Sequence, residues 1–211
     1  NRLWQRETID GVEVSRLWTY ITANEGFLRR TLDYVSFMAA AIVATPFLPR
    51  ADVVVSTSPQ FFTPCAAYVV SRLKRRPWVF ELRDLWPDSI VAVGAMKDNR
   101  LIRALRKLEY FLYRRATRIV SVTHSFREIL SKNGIAREKI EVVPNGADLD
   151  AYVPGPRSGA LAERLGVQGK FVAAYVGTIG MAHGLGTLLD AAERLRARAD
   201  IAFVLVGAGA E

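Results

Sequence analysis

Along the chain, short apolar runs alternate with longer segments in which apolar positions recur every three or four residues. That alternation is the signature of parallel strands joined by crossover helices, and it predicts an α/β fold. A first strand fits residues 11–20 and a helix fits 27–44, followed by a buried strand in "ADVVVSTSP" that ends at a Ser/Thr/Pro turn. Pro64 then stands where a first-turn helical proline belongs, and "CAAYVVSRLKR" continues that helix. Residues 77–84 read as a strand with charged last residues, 98–116 as a helix, "RIVSVT" as a strand, and "HSFREILSKNG" as a helix closed by Asn133 and Gly134. "KIEVVPNG" supplies the next strand.

Beyond Asn145 the pattern fades into a stretch rich in Pro and Gly, with no strong strand or sustained helix before residue 160. This places a domain boundary near residue 150, giving domains over 1–150 and 151–211. In the second, "KFVAAYVGTIG" restarts the strand, loop and helix order with "LGTLLDAAERLRARA", and "IAFVLVGAGAE" adds one more strand. Both ends read as cut, so the expectation is a fragment of a longer protein. The most apolar stretch, residues 34–49, is interrupted by Pro46 and falls short of the roughly 20 residues that span a bilayer, so it is expected to be buried or interfacial.

Twenty-nine Lys and Arg against 21 Asp and Glu leave a net charge of +8, which favours anionic partners without choosing among them. The single cysteine, Cys65, excludes a disulfide framework within one chain and reads as an inert core thiol in a reducing compartment, the cytosol. Two isolated histidines and one cysteine show no metal-ligand spacing. The aromatic residues follow core periodicity without interleaving with the basic ones, and no nucleic-acid recognition motif is present, so no nucleic-acid partner is expected.

Two places carry candidate chemistry. In "YVGTIGMAHG", Gly177, Gly180 and Gly184 flank a strand-to-helix turn of the kind that lets backbone amides approach a phosphate, though the spacing is neither G-x-G-x-x-G nor a P-loop, and a plain tight turn is the other reading. "GAGAE", with Gly207 and Gly209, reads as a turn leaving a strand. In "ELRDLWPDS", Arg83 and Asp84 end a strand, where α/β sheets present functional groups, with Trp86 and Pro87 stiffening the loop; helix capping and a local ion pair are the bland alternative. His124 stands at a helix start, where capping and ligand contact are both open. The helix over 98–116 sets Arg100, Arg103, Arg106, Lys107, Arg114 and Arg115 around an apolar stripe of Leu101, Leu105, Leu108, Phe111 and Leu112. Such a surface is either a solvated face or one that meets anionic lipid.

"ELRDLWPDS", "VVPNGADLDAY", "YVGTIGMAHGLGTLLDAAERL" and "FVLVGAGAE", in this order, resemble the retaining glycosyltransferases of family 4, and within it the bacterial enzymes of exopolysaccharide and O-antigen synthesis, the colanic-acid type. The resemblance implies a GT-B architecture of two facing Rossmann-like domains with parallel sheets, an acceptor domain first and a nucleotide-sugar donor domain second. It implies transfer from a UDP-linked sugar to a lipid-linked or polysaccharide acceptor, without a metal or other cofactor, at the cytoplasmic face of an anionic membrane. On it, Gly177, Thr178, Gly180 and His183 lie against the donor diphosphate, and Asp84 with Arg83 faces the acceptor hydroxyl. Many family members have Arg and Lys where this chain has Thr178 and His183, which removes two positive charges from the diphosphate site. The resemblance also implies that the family's first strand and glycine-rich loop precede Asn1 and that its paired glutamates follow Glu211, so the 211 residues alone are expected to be inactive. The alternatives are a sugar-nucleotide epimerase of the same architecture and a non-catalytic α/β protein that binds nucleotide or nucleic acid.

Overall fold

The computed structural model describes residues 3–21, 27–92, 94, 96–180 and 183–209, without the side chains of residues 27 and 28. The chain divides into two compact units, Asn1–Gly146 and Ala147–Glu211.

The first unit opens with a hairpin where one strand was expected. Strands β1 (Trp4–Ile9) and β2 (Val12–Leu17) pair antiparallel around Asp10 and Gly11, both at positive φ (49° and 81°). Asp-Gly is the dipeptide that accepts such a two-residue turn, and the expected strand over 11–20 took in only the second half of the hairpin. The hairpin docks through Trp4, edge-on to Phe47 at 6.1 Å, and through Arg6, which donates to the Phe47 carbonyl at 2.6 Å. Helix α1 (Phe27–Ala44) follows, and Ser36 on it accepts from the Tyr20 amide at 2.8 Å.

Four parallel strands then form one sheet in chain order: β3 (Val54–Thr57), β4 (Trp78–Leu82), β5 (Arg118–Ser121) and β6 (Ile140–Val142). Right-handed crossovers that always step the same way put their helices on one face. Accordingly Ala67 of α2 (Phe62–Lys74), Leu112 and Tyr113 of α4 (Arg100–Arg115) and Leu130 of α5 (His124–Lys132) share one cluster with Trp78, Phe80, Leu82, Ile119 and Ile140. Short α3 (Asp88–Ala92) lies between β4 and α4. Helix starts follow local rules: the Asn99 side chain accepts from the Ile102 amide, and Thr123 caps α5 through the Phe126 amide.

One detail departs from the expected pattern, and Cys65 keeps to it. The buried stripe of α4 runs through Ile102, Glu109, Leu112 and Tyr113, while Leu101 and Leu108 are 51% and 38% exposed. Cys65 packs against the core cluster, and burial pushes its thiol up to about 11, as an unreactive thiol requires.

The second unit holds α6 (Gly159–Arg164), six residues capped by Ser158 at the end of the stretch expected to lack a sustained helix, then β7 (Phe171–Val176), α7 (Gly186–Arg194) and β8 (Ile201–Val206). β7 and β8 pair in parallel, Phe171 opposite Ile201 through Val176 opposite Val206.

Candidate functional site

In the first unit the functional groups collect where β3 and β4 end. The buried Ser58 hydroxyl, just past β3, accepts from the amides of Arg83 at 3.0 Å and Asp84 at 3.3 Å, so one side chain fixes the turn that leaves β4. Asp84 Oδ2 accepts from the Ser89 hydroxyl at 3.2 Å, and neither Asp84 Oδ1 nor the exposed Arg83 guanidinium has a partner among the described residues. The ion pair that would make Arg83 and Asp84 a purely structural couple is therefore not formed here.

Arg106 does what the sequence reading gave to no residue. It turns away from the basic face of α4 and donates through Nε and NH2 to Asp88 Oδ1, at 2.9 and 2.6 Å, with Asp98 3.7 Å away, tying α4 to the start of α3. Glu109, one turn further on, is buried and accepts from the Tyr113 hydroxyl at 2.5 Å. Burial pushes its carboxyl up to about 8, against the pull of the Tyr113 hydrogen bond, with the charges of Asp88 and Asp84 adding to the rise. A glutamate on an arginine-rich helix reads as surface in the sequence; only the parity of the buried stripe could have flagged it.

Ser58 too was missed, although the "STSP" turn was noted. Removing its hydroxyl leaves two amides at a buried position without an acceptor. Ser58→Ala is expected to lower unfolding stability by about 1–3 kcal/mol, read as a lower urea midpoint; an unchanged midpoint would show that the turn holds without it. His124 only starts α5, its Nδ1 3.3 Å from an Arg127 guanidinium nitrogen.

In the second unit, Gly177, Thr178, Gly180 and His183 are brought together by the loop between β7 and α7; Met181 and Ala182 of this loop lie outside the described residues. Gly177 and Ile179 donate their amides to the Val206 and Ala208 carbonyls at 3.0 and 3.1 Å, so the loop begins as an extension of the β7–β8 pairing. The Tyr175 hydroxyl donates to the Thr178 carbonyl at 2.7 Å, and the His183 ring stands edge-on to Tyr175 at 6.0 Å with Nδ1 3.3 Å from the Gly180 carbonyl. With Nδ1 donating there, Nε2 is the nitrogen left to face an anion, and it donates to one only when the ring is protonated. Thr178 is exposed, and its hydroxyl has no partner among the described residues. The loop then runs into α7, whose N-cap, Leu185, supplies no capping side chain.

The tightest glycines are elsewhere. A Cβ on Gly177 would meet the outer edge of the Tyr175 side chain, the hydroxyl nearest at 3.2 Å, and one on Gly180 only His183 Nδ1, at 3.9 Å. A Cβ on Gly207 or Gly209 would lie 1.8 Å from the Gly177 carbonyl oxygen or 1.5 Å from that of Ile179. "GAG" is therefore the strip that lies against the loop, not a turn leaving β8, and Gly209 forms a parallel bridge with Ile179.

The α/β fold, with its parallel sheets, is of the GT-B kind, a match carried by its likeness to solved structures. More narrowly, the chain belongs to the glycosyl transferase 4-like domain family, whose model matches residues 1–146. The probable glycosyltransferase WbjE of Pseudomonas aeruginosa is 27% identical over 135 residues, 63% of this chain and 34% of WbjE. The D-inositol 3-phosphate glycosyltransferase of Nocardia farcinica is 38% identical over 80 residues, 38% of this chain and 18% of that enzyme. Among solved structures, Anabaena HepE in complex with UDP matches with a TM-score of 0.63 at 19% identity, over 85% of this chain and 46% of HepE. The HepE complex with UDP-glucose gives 0.60 over 87% of this chain and 45% of HepE. The chain thus spans about a third of the length of WbjE and less than half that of HepE.

Proposed function

We propose that the protein carrying this chain is a retaining glycosyltransferase that moves a sugar from a UDP-linked donor to a lipid-linked or polysaccharide acceptor in cell-surface polysaccharide synthesis. The observation that carries the reading is the β7–α7 loop in a member of the glycosyl transferase 4-like family: it sets Thr178, Gly180 and His183 ahead of an α7 start that has no capping side chain. HepE, a structural relative, was solved with UDP and with UDP-glucose, which supports a nucleotide-sugar partner.

In this reading the residues after 150 hold the donor and those before it hold the acceptor. The positive end of α7, the loop amides and the Thr178 hydroxyl stabilise the charge that grows on the leaving diphosphate, with the His183 ring beside them. No metal or other cofactor is required for that role. Asp84 orients the acceptor hydroxyl and takes its proton as the glycosidic bond forms, and Arg83 supplies a cation beside it.

We place the reaction at the cytoplasmic face of the membrane. No helix among the described residues is long and apolar enough to cross one. The outer face of α4 offers Arg100, Arg103, Lys107, Arg114 and Arg115 around exposed Leu101 and Leu108, which suits peripheral contact with anionic lipid.

Incubating the whole protein with UDP-glucose, with and without a lipid-linked glycan extract, tests the transferase reading. Release of UDP that rises with acceptor, with the unused sugar unchanged, is the expected result. Conversion of the sugar in the absence of acceptor would instead make the protein an epimerase.

A further inference from the structure

The Trp86 indole stands half-buried beside the Arg83–Asp84 turn, and its setting is that of a binding surface more than of a core residue. Phe61, 5% exposed, lies against one face of it at 4.5 Å between centroids and 35° between planes, and Phe62 meets Phe61 edge-on at 5.7 Å. Pro87, the next residue, is fully buried, which anchors the chain one residue past the indole. The indole is thus backed on one side and held at a fixed height. Its N–H donates to no acceptor among the described residues and is not enclosed, unlike the Trp78 indole, which donates to Ser56 at 2.9 Å inside the core.

Polar groups of the right kind stand close along the chain. Asp84 Oδ1 is an unoccupied acceptor, and the Arg83 guanidinium is an exposed, unpaired set of donors. A backed aromatic ring with a free N–H, a carboxylate and a guanidinium is a set that fits a pyranose ring. The electropositive C–H face of the sugar packs on the electron-rich indole, and its hydroxyls donate to the carboxylate and accept from the cationic donors.

We propose that Trp86, with Asp84 and Arg83, forms a subsite for a hexopyranose ring. That this ring belongs to the acceptor rests on the glycosyltransferase reading; that a pyranose binds here does not.

The test uses the tryptophan indole N–H signals of the nitrogen-15-labelled whole protein, with those of Trp86 and Trp78 assigned by their loss in Trp86→Phe and Trp78→Phe. The probes are the methyl glycosides of glucose, galactose, mannose and N-acetylglucosamine, which carry no diphosphate. At least one is expected to shift the Trp86 signal saturably while the Trp78 signal stays in place. Asp84→Asn, which keeps the reporter, is expected to weaken that titration about 3- to 10-fold, as loss of a charged hydrogen bond does. A Trp86 signal unmoved by all four glycosides, or one that moves only together with Trp78, would overturn the proposal. So would an Asp84→Asn titration that matches the unsubstituted protein. UDP is titrated separately: failure of UDP to bind counts against the donor reading and leaves a glycoside response at Trp86 standing.

Discussion

Gly209→Ala is expected to break the second unit's sheet where the proposed donor loop begins. The new methyl carbon would sit 1.5 Å from the Ile179 carbonyl oxygen, and that obstacle is backbone, so no rotamer change can relieve it. Either the bridge between Ile179 and Gly209 opens or the two strands shift apart, and the Ile179 amide then loses its hydrogen bond to Ala208. Gly207→Ala meets the Gly177 carbonyl oxygen at 1.8 Å and should behave alike. Overpacking of this kind costs about 3 kcal/mol or more. Gly177→Ala is the internal comparison: its Cβ would meet the outer edge of the Tyr175 side chain, the hydroxyl nearest at 3.2 Å, and no backbone, and should cost far less. Denaturant unfolding of the three variants checks the order. Equal losses at positions 177 and 209 would show that the contact between β8's extension and the loop is not as close as described.

The second large effect concerns acidity. Glu109 has an ordinary value of 4.5 and is pushed up to about 8 in the fold, chiefly by burial. Between those values the folded protein keeps the proton and the unfolded chain gives it up, so stability falls as pH rises through the window and levels off above about 8. The slope from this group is at most about 1.4 kcal/mol per pH unit. The stabilising contribution is complete below 4.5 and lost by the upper end of the window. Glu109→Gln cannot ionise, keeps the volume, and still offers an oxygen to the Tyr113 hydroxyl. Its unfolding free energy should match that of the unsubstituted protein near pH 5 and exceed it increasingly toward pH 8. Parallel curves across that range would mean that Glu109 is ionised in the fold, with its charge met by other groups.

Both predictions rest on features that local sequence reading does not reach. The crossover pattern made the parallel sheet legible, because β3, β4, β5 and β6 are apolar runs separated by helical periodicity. The hairpin was legible and passed over, since Asp10-Gly11 carries the turn signal. Gly207 and Gly209 are different: what they touch is the backbone of residues 177–179, some thirty positions away, and only the pairing of β7 with β8 creates that contact. Glu109 likewise became informative only once the helix chose its buried face, a choice that also left Leu101 and Leu108 outward. Arg83 and Asp84 could be singled out because strand ends in α/β sheets present side chains to ligands. The groups that hold them, Ser58 and Ser89, come from a different strand and a different helix.

If the β7–α7 loop holds the diphosphate of a nucleotide sugar, UDP alone should bind there. Titration calorimetry of UDP against the whole protein, without added metal and repeated with Thr178→Ala and His183→Ala, tests it most directly. The expected result is binding that each substitution weakens about tenfold, the loss of one hydrogen bond to a charged group. Binding that neither substitution changes, or no binding at all, would contradict it.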